Sequence, residues 1–159
     1  MKTINDVPLL LRREIEARMI KPFLEAFTKE VGKERTYEIA ECVIEELARK
    51  AGEESAQRLG DNGTKELLEH IKPHQMVDAL DINPISQDEK HNRFDIVRCE
   101  YVEMYERLGM REMGGMLSCN RDECFFRGVN PKFKFSRTKT LMNGDDCCNF
   151  LVELEDSAK

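Results

Sequence analysis

The strongest constraint on the fold lies at the end of the sequence, where two alternating segments flank an Asn143–Gly144 pair. Asn-Gly is a strong signal for a reverse turn between strands, although the acidic pair Asp145–Asp146 indicates a loop longer than two residues. The alternation therefore predicts an antiparallel β-hairpin that packs one face on the rest of the chain. Its first strand places these side chains on one face: Phe133, Phe135, Arg137, Lys139 and Leu141.

Two long helical patterns precede this segment. The first is predicted to begin after Asp6 and Pro8 and to end near Gly32, and its apolar residues recur at nearly fourfold spacing. We expect that stripe to face the core: Leu11, Ile15, Met19, Phe23, Phe27 and Val31. The second is predicted from about 33 to 59, ending at Gly60. Its inward residues are expected to be Tyr37, Ala40, Val43, Ile44, Leu47, Ala48 and Ala51.

The middle of the chain predicts shorter elements. A third helix is expected over 65–71, ending at Pro73, and residues 73–90 are expected to be irregular. Beyond them the pattern predicts a strand over 93–99, a helix over 100–108 ended by Gly109, and a helix over 112–127 closed by Gly128. The whole chain, 1–159, is predicted to be one α+β domain. It would have a helical part (1–72) and a mixed part (91–155), with N-terminal helices packed on a small antiparallel sheet.

Composition excludes several classes of protein. The chain of 159 residues is 40% hydrophobic and 35% charged, as expected for one soluble globular domain. A net charge of −6 argues against nucleic-acid binding, and no apolar run approaches the roughly 20 residues that span a bilayer. Because the N-terminus lacks the apolar stretch of a secretory signal, we expect a cytoplasmic protein with reduced cysteines. Homo-oligomer formation is left open.

The chemistry-bearing residues concentrate in residues 118–150, which include four of the six cysteines. Together with a preceding Arg98-Cys99 pair they resemble the L-2-amino-thiazoline-4-carboxylic acid hydrolase family over roughly residues 93–152. The motifs that carry the resemblance are, in order, Arg98-Cys99, Ser118-Cys119-Asn120-Arg121-Asp122, Asn130-Pro131, Arg137-Thr138-x-Thr140 and Gly144-x3-Cys148-x-Phe150. The chain differs from the family pattern at Cys147, where a histidine is frequent, and at Asn149, where an aspartate is usual.

This resemblance implies a small-molecule hydrolase that opens a thiazoline ring on the route to cysteine. Opening such a ring requires attack on the carbon between sulfur and nitrogen, a base, stabilisation of a tetrahedral intermediate, and an acid for the leaving atom. The ending Gly144-x3-Cys148-x-Phe150 also resembles, more loosely, vinyl-reductase-type small-ligand-binding domains. A non-catalytic ligand-binding or sensory domain is therefore the alternative function.

Each candidate residue has a chemical and a structural interpretation. Cys119 is either a nucleophile or a buried apolar thiol, and Asn120 either faces the reacting centre or lies on a solvated helix face. Asp122 is either a general base, a partner for an amidine group, or a capping carboxylate. Arg137 shares a strand face with apolar residues, so it must find an acceptor, which is either a substrate carboxylate or an acidic side chain such as Asp122.

Three further residues are predicted to contact the substrate: Cys99, Cys148 and Thr140. All three also have an ordinary packing role as the alternative. No CxxC motif occurs, and the histidines lie far from Cys119 in sequence, so we expect no cofactor. A metal bound through Cys99, Cys119 and Cys148 remains the minor alternative.

Overall fold

The computed structural model describes residues 6–60, 62–75 and 79–155. Two long helices, α1 (Leu9–Val31) and α2 (Lys33–Leu59), form a hairpin that leads into the shorter α3 (Leu67–Gln75). The turn between them is made by Gly32, whose φ of 83° favours glycine, and α2 ends at Gly60 in the left-handed conformation. These boundaries confirm the predicted ends of both long helices. α3 continues past Pro73, beyond the predicted end.

The orientation predicted for the two long helices is wrong for their largest side chains. The α1 stripe that begins at Leu11 and the α2 residues Val43 and Leu47 are exposed. α1 instead packs a second, smaller apolar set against the protein, with Ala17 and Leu24 buried and Leu10 and Ile20 partly buried. A helix that is apolar on two faces gives no unambiguous inward stripe, so the larger side chains misled the prediction.

A four-stranded antiparallel sheet covers the other side of the molecule, which confirms the α+β class. It consists of β1 (Leu80–Gln87), β2 (His91–Cys99), β3 (Phe133–Ser136) and β4 (Cys148–Leu154), in the order β1-β2-β4-β3. β1 lies within the segment predicted to be irregular. It is an edge strand whose register shifts on both sides of Pro84, and such an edge tolerates a proline that a central strand would exclude.

The predicted C-terminal hairpin is present, but its first strand is shorter than expected. β3 pairs with β4 only from Phe133 to Ser136. After that point the backbone N–H groups of Thr138 and Lys139 donate to Asn149 Oδ1, at 3.0 and 2.7 Å. These hydrogen bonds to a side chain take the place of backbone pairing between the strands. The chain then forms a long connection to β4 that contains a 3₁₀ turn, Leu141–Asn143.

The segment between β2 and β3 carries the residues of the site. It contains α4 (Glu100–Arg107), α5 (Arg111–Gly114), a π-helical turn (Gly115–Cys119) and α6 (Arg121–Val129). The π-helical turn interrupts the single helix predicted over 112–127, and the Asn120 N–H donates to the Gly115 carbonyl across it, at 2.9 Å. Gly128 was predicted to close a helix but lies inside α6.

Two apolar clusters make up the core. One joins α1, α2, α4 and the π-helical turn, and the other joins α3 and α6 to the sheet, with Phe94, Phe126 and Phe150 at its centre. Phe94 and Phe150 stack at a centroid distance of 5.0 Å. None of the helices in the described residues is long and apolar enough to cross a membrane.

Candidate functional site

A cavity of about 540 Å³ lies between the helical layer and the sheet. Its apolar wall comes from both layers and includes Leu9, Ile71, Leu80, Phe94, Ile96, Phe125, Phe126 and Phe150. Its polar residues lie on the helices α1, α2, α3, α4 and α6, the π-helical turn and the β3–β4 connection. Cavities of this size and character are typical small-molecule sites, with a few polar groups that orient the ligand.

The cavity brings together Asp122 on α6 and Arg137 after β3, two residues singled out from the sequence. Arg137 Nη1 donates to Asp122 Oδ2 at 2.5 Å, and its Nη2 donates to the Cys119 carbonyl at 3.3 Å. The guanidinium also lies over the rings of Phe135 and Phe150. Asp122 is thus the acceptor that Arg137 finds, and the pair holds the carboxylate in a fixed orientation.

The protonation of Asp122 is unusual for an ion-paired carboxylate. Burial raises the pKa of Asp122 to about 6, although the charges of Arg137 and Arg121 act in the opposite direction. Within the described part of the chain only Oδ2 accepts a hydrogen bond, which leaves Oδ1 for a ligand or a water molecule. A carboxyl with a pKa near 6 can both accept and return a proton close to neutral pH.

Three predicted residues form a small cluster beside this pair. The Thr140 hydroxyl lies 3.8 Å from Cys119 Sγ and 3.7 Å from Cys148 Sγ, and the Leu141 N–H donates to Cys148 Sγ at 3.2 Å. Cys119, Cys148 and Cys99 line the cavity, whereas Thr140 contacts the first two and is not part of the lining. All six cysteines lie in described segments and carry free thiols.

The environment of these thiols does not activate them. Burial, reinforced by the neighbouring Asp122 charge, raises the pKa of Cys119 to about 12, and burial raises the pKa of Cys99 to about 11. A thiol needs a cationic or basic neighbour to become a nucleophile near neutral pH. The geometry therefore favours a neutral, ligand-contacting Cys119 over a resting thiolate.

We expect Cys119 and Cys99 to react slowly with iodoacetamide at pH 7.5 in the folded protein, because both thiols remain protonated. Peptide mass spectrometry after timed labelling measures the rate at each cysteine, and the same reaction in denaturant provides the unhindered rate. Labelling of Cys119 in the folded protein as fast as in the unfolded chain would instead identify an activated thiolate.

Asn120, predicted as a catalytic residue, does not join the cavity. It is exposed, and its amide donates to Glu41 Oε1 on α2 at 3.3 Å. One residue along a helix turns a side chain by about 100°, so Asn120 cannot share the direction of Cys119. Asn149, one of the two departures from the family pattern, holds the backbone of the β3–β4 connection and is absent from the cavity lining.

Four arginines on the helical side of the cavity were not assigned a role from the sequence. Arg12 and Arg13 on α1, Arg58 on α2 and Arg121 on α6 all line it. Burial and the charge of Arg13 lower the pKa of Arg121 to about 10, and the buried Nε of Arg12 has no hydrogen-bond partner among the described residues. A buried guanidinium with a lowered pKa or an unpaired N–H is stabilised by a negative charge, so these arginines favour an anionic ligand. The predicted orientation of α1 had placed Arg12 and Arg13 off its inward stripe.

A buried polar group also lines the cavity on α2 and α3. Ser55 Oγ lies 2.9 Å from His70 Nδ1, and Arg58 Nη2 donates to the same hydroxyl at 3.2 Å. Ser55 could have been found from its spacing in the sequence. It follows Ala48 and Gly52 at helical intervals, and all three are on the buried side of α2. Within residues 6–60, 62–75 and 79–155, no three His, Cys, Asp or Glu side chains group as ligands for one metal ion. Metal analysis of the freshly reduced protein tests the predicted absence of a cofactor.

The sequence matches one known protein family over most of its length. The model of the L-2-amino-thiazoline-4-carboxylic acid hydrolase family matches residues 12–152, which is nearly the whole chain. A search of curated proteins found no significant sequence match.

Two solved structures share the fold. One is the phenol-responsive sensory domain of the transcription activator PoxR with phenol, at 10% identity and a TM-score of 0.55 over 86% of this chain and 73% of that one. The other is a trafficking protein particle complex subunit 3 from Naegleria fowleri covalently bound to palmitic acid. It has 12% identity and a TM-score of 0.55 over 94% of this chain and 98% of that one.

Proposed function

The chain belongs to the L-2-amino-thiazoline-4-carboxylic acid hydrolase family, and on that premise we propose that its cavity hydrolyses a small carboxylate-bearing thiazoline or a related ring. The observation that carries the proposal is Asp122, a cavity carboxyl with a pKa of about 6 whose orientation is fixed by Arg137. Hydrolysis needs one group that first removes and then returns a proton. Asp122 has the position and the pKa for both steps.

The proposed reaction uses water as the nucleophile. A water molecule attacks the ring carbon that lies between sulfur and nitrogen, and Asp122 removes its proton as the new C–O bond forms. The C=N π bond breaks in the same step, and its electron pair moves to nitrogen. The tetrahedral intermediate then breaks a ring C–S or C–N bond. The bonding pair stays on the departing atom, which takes the proton back from Asp122. Cys119 contributes a neutral thiol beside the reacting centre, as expected from its raised pKa.

Recognition of the substrate carboxylate is assigned to the arginines of the helical side. Arg137 is already engaged by Asp122, so its guanidinium is not the best partner for a second anion. Arg13 and Arg121 line the same cavity, and the charge of Arg13 lowers the pKa of Arg121. Their acceptor in the protein is the half-exposed Glu16, at 2.6 and 3.6 Å, which a ligand carboxylate can replace more readily than it could replace Asp122. A bound carboxylate would relieve that repulsion and would accept several N–H bonds at once.

Replacing Arg121 by glutamine is expected to raise KM for the thiazoline about tenfold or more while changing kcat much less, because it removes a binding charge and leaves Asp122 in place. Steady-state kinetics measure the two constants separately. The matched control is Arg127→Gln, an exposed arginine on the same helix that is absent from the cavity lining. A loss confined to kcat, with KM unchanged, would contradict the assignment.

The proposal is tested by incubating the purified protein with 2-amino-thiazoline-4-carboxylic acid and following the ring carbons by NMR. Conversion to a ring-opened carbamoyl or cysteine product, faster than in buffer, supports the hydrolase. Titration calorimetry on the same sample measures binding independently. Tight binding without conversion of this ring, or of other cyclic isothioureas and amidines, would rule the hydrolase out.

That last outcome corresponds to the alternative function, a non-catalytic ligand-binding or sensory domain. The observation in its favour is the largely apolar cavity wall. The two solved structures described above carry phenol and palmitic acid, so this architecture accommodates apolar ligands in both. A sensory domain would bind a mostly apolar ligand, and its affinity would not depend on Asp122.

A further inference from the structure

The outer surface of the α1–α2 hairpin carries a set of large apolar side chains that neither the core nor the cavity uses. We define the outer face by its nine members: Leu11, Ile15, Met19, Phe23, Phe27 and Val31 on α1, and Ile39, Val43 and Leu47 on α2. Each is between 48 and 68% exposed. Scattered apolar residues on a surface need no explanation, but nine large exposed side chains at regular spacing on two consecutive helices indicate an interaction site.

From this outer face we propose that the protein forms a symmetric homodimer in which the α1–α2 hairpins of two copies pack against each other. The size of the face fits this occupant. Nine large side chains, each about half exposed, present on the order of 800 Å², which is the area that one partner buries in a standard specific interface. In a twofold dimer the same surface patch of each copy forms the interface, so one apolar face is enough. A head-to-tail assembly would need a second, different patch.

The spacing of the residues fits helix-on-helix packing. Members of the outer face recur every four residues on α1, from Leu11 to Val31, and again on α2, from Ile39 to Leu47. Such rows form continuous ridges along a helix. Two ridges of this type interlock when the helices cross at about −50°, the commonest class in globular proteins. Two identical hairpins therefore offer each other matching ridges and grooves.

Charge favours a protein copy over a membrane surface. The outer face itself contains no charged residue, and the same two helices expose residues of both signs, such as Glu25, Lys29, Arg35 and Glu38. Helices that lie on anionic membranes carry an excess of lysine and arginine, whereas this chain has a net charge of −6. Because both signs occur on these helices, a second copy would not bring a surface of uniform charge against another of the same sign.

The small part of α1 that is buried within its own chain also favours the dimer. Only Leu9, Ala17 and Leu24 of this 23-residue helix are buried in its own chain. Most of the apolar surface of α1 therefore faces outward, and a second copy would bury it. α1 also carries Arg12 and Arg13 to the cavity, so the dimer would hold that cavity wall in place.

The test is sedimentation equilibrium of the purified full chain at tens of micromolar. We expect a mass twice the 18.5 kDa of one chain. Phe23→Glu and Val43→Glu, which place charges in the interface but remove little packing within one chain, are expected to give folded monomers. The matched control is Val97→Glu, because Val97 on β2 is 50% exposed but lies outside the outer face.

A monomeric wild type at this concentration would overturn the proposal, even if it bound vesicles or another protein through the same face. A dimer that persists in both outer-face variants, or that is lost equally in Val97→Glu, would place the interface elsewhere. Circular dichroism of each variant separates dissociation from unfolding. These readouts do not depend on the ligand, so they remain valid if the proposed hydrolase activity fails.

Discussion

Replacing Asp122 by asparagine is expected to lower kcat/KM for ring opening by about a thousandfold, since removing a positioned general base typically costs between two and four orders of magnitude. The amide keeps the shape of the side chain and can still accept from Arg137, but it cannot take the proton from water. Steady-state kinetics on the thiazoline measure the loss. Thermal unfolding of the same sample shows whether the variant remains folded.

Two further variants make this result specific. Glu123→Gln removes the neighbouring carboxylate on α6, which is exposed, and should leave the rate unchanged. Asp122→Glu keeps an ionisable group in the cavity and should retain more activity than the asparagine variant, because the base is displaced and not lost. Near-normal activity in a folded Asp122→Asn protein would remove Asp122 from the reaction.

Replacing Gly128 by alanine is expected to destabilise the fold by about 3 kcal/mol, at the upper end of the cost of overpacking. α6 and α2 cross with their backbones in contact at Gly128 and Gly52, where a Cβ on Gly128 would lie 2.2 Å from the Arg49 carbonyl oxygen. Backbone atoms cannot rotate away, so the helices must separate. Thermal unfolding should show a lower Tm, by roughly 10 °C for a domain of this size.

The control for this prediction is Gly115→Ala in the π-helical turn. Its added Cβ meets no atom within 4 Å, so stability should change little. Gly52→Ala should reproduce the loss from the other side of the crossing, since its Cβ would lie 2.2 Å from the Phe125 carbonyl oxygen. Equal stability of the Gly128 and Gly115 variants would show that the two helices do not need this close approach.

The sequence was sufficient to predict the ends of the long helices, because glycines with positive φ mark them. It was insufficient for the orientation of α1 and for β1. α1 has apolar residues on two faces, and the larger set faces away from its own core, which a pattern within one chain cannot reveal. β1 contains Pro84, which is normally a signal against a strand and is tolerated here only because β1 is an edge.

The candidate site was predicted in part. Asp122 and Arg137 come from separate elements, yet strand alternation and the need of a buried arginine for an acceptor were enough to name Asp122 as one of two possible acceptors. The structure shows that Asp122 is the acceptor. The arginines of α1 were missed because their direction follows from the orientation of that helix. Ser55 and His70 were missed because only the packing of α2 beside α3 brings them together. Residues that are distant in sequence and meet only through helix packing cannot be paired from local sequence patterns.

The central claim, that Asp122 acts as the base in the cavity, is tested most directly by the pH dependence of kcat/KM for ring opening. The base must be ionised, and the pKa of Asp122 is raised to about 6. The rate should therefore rise about tenfold per pH unit below 6 and become constant above it. A profile that is flat between pH 5 and 7, or that falls as the pH rises through 6, would contradict this role for Asp122.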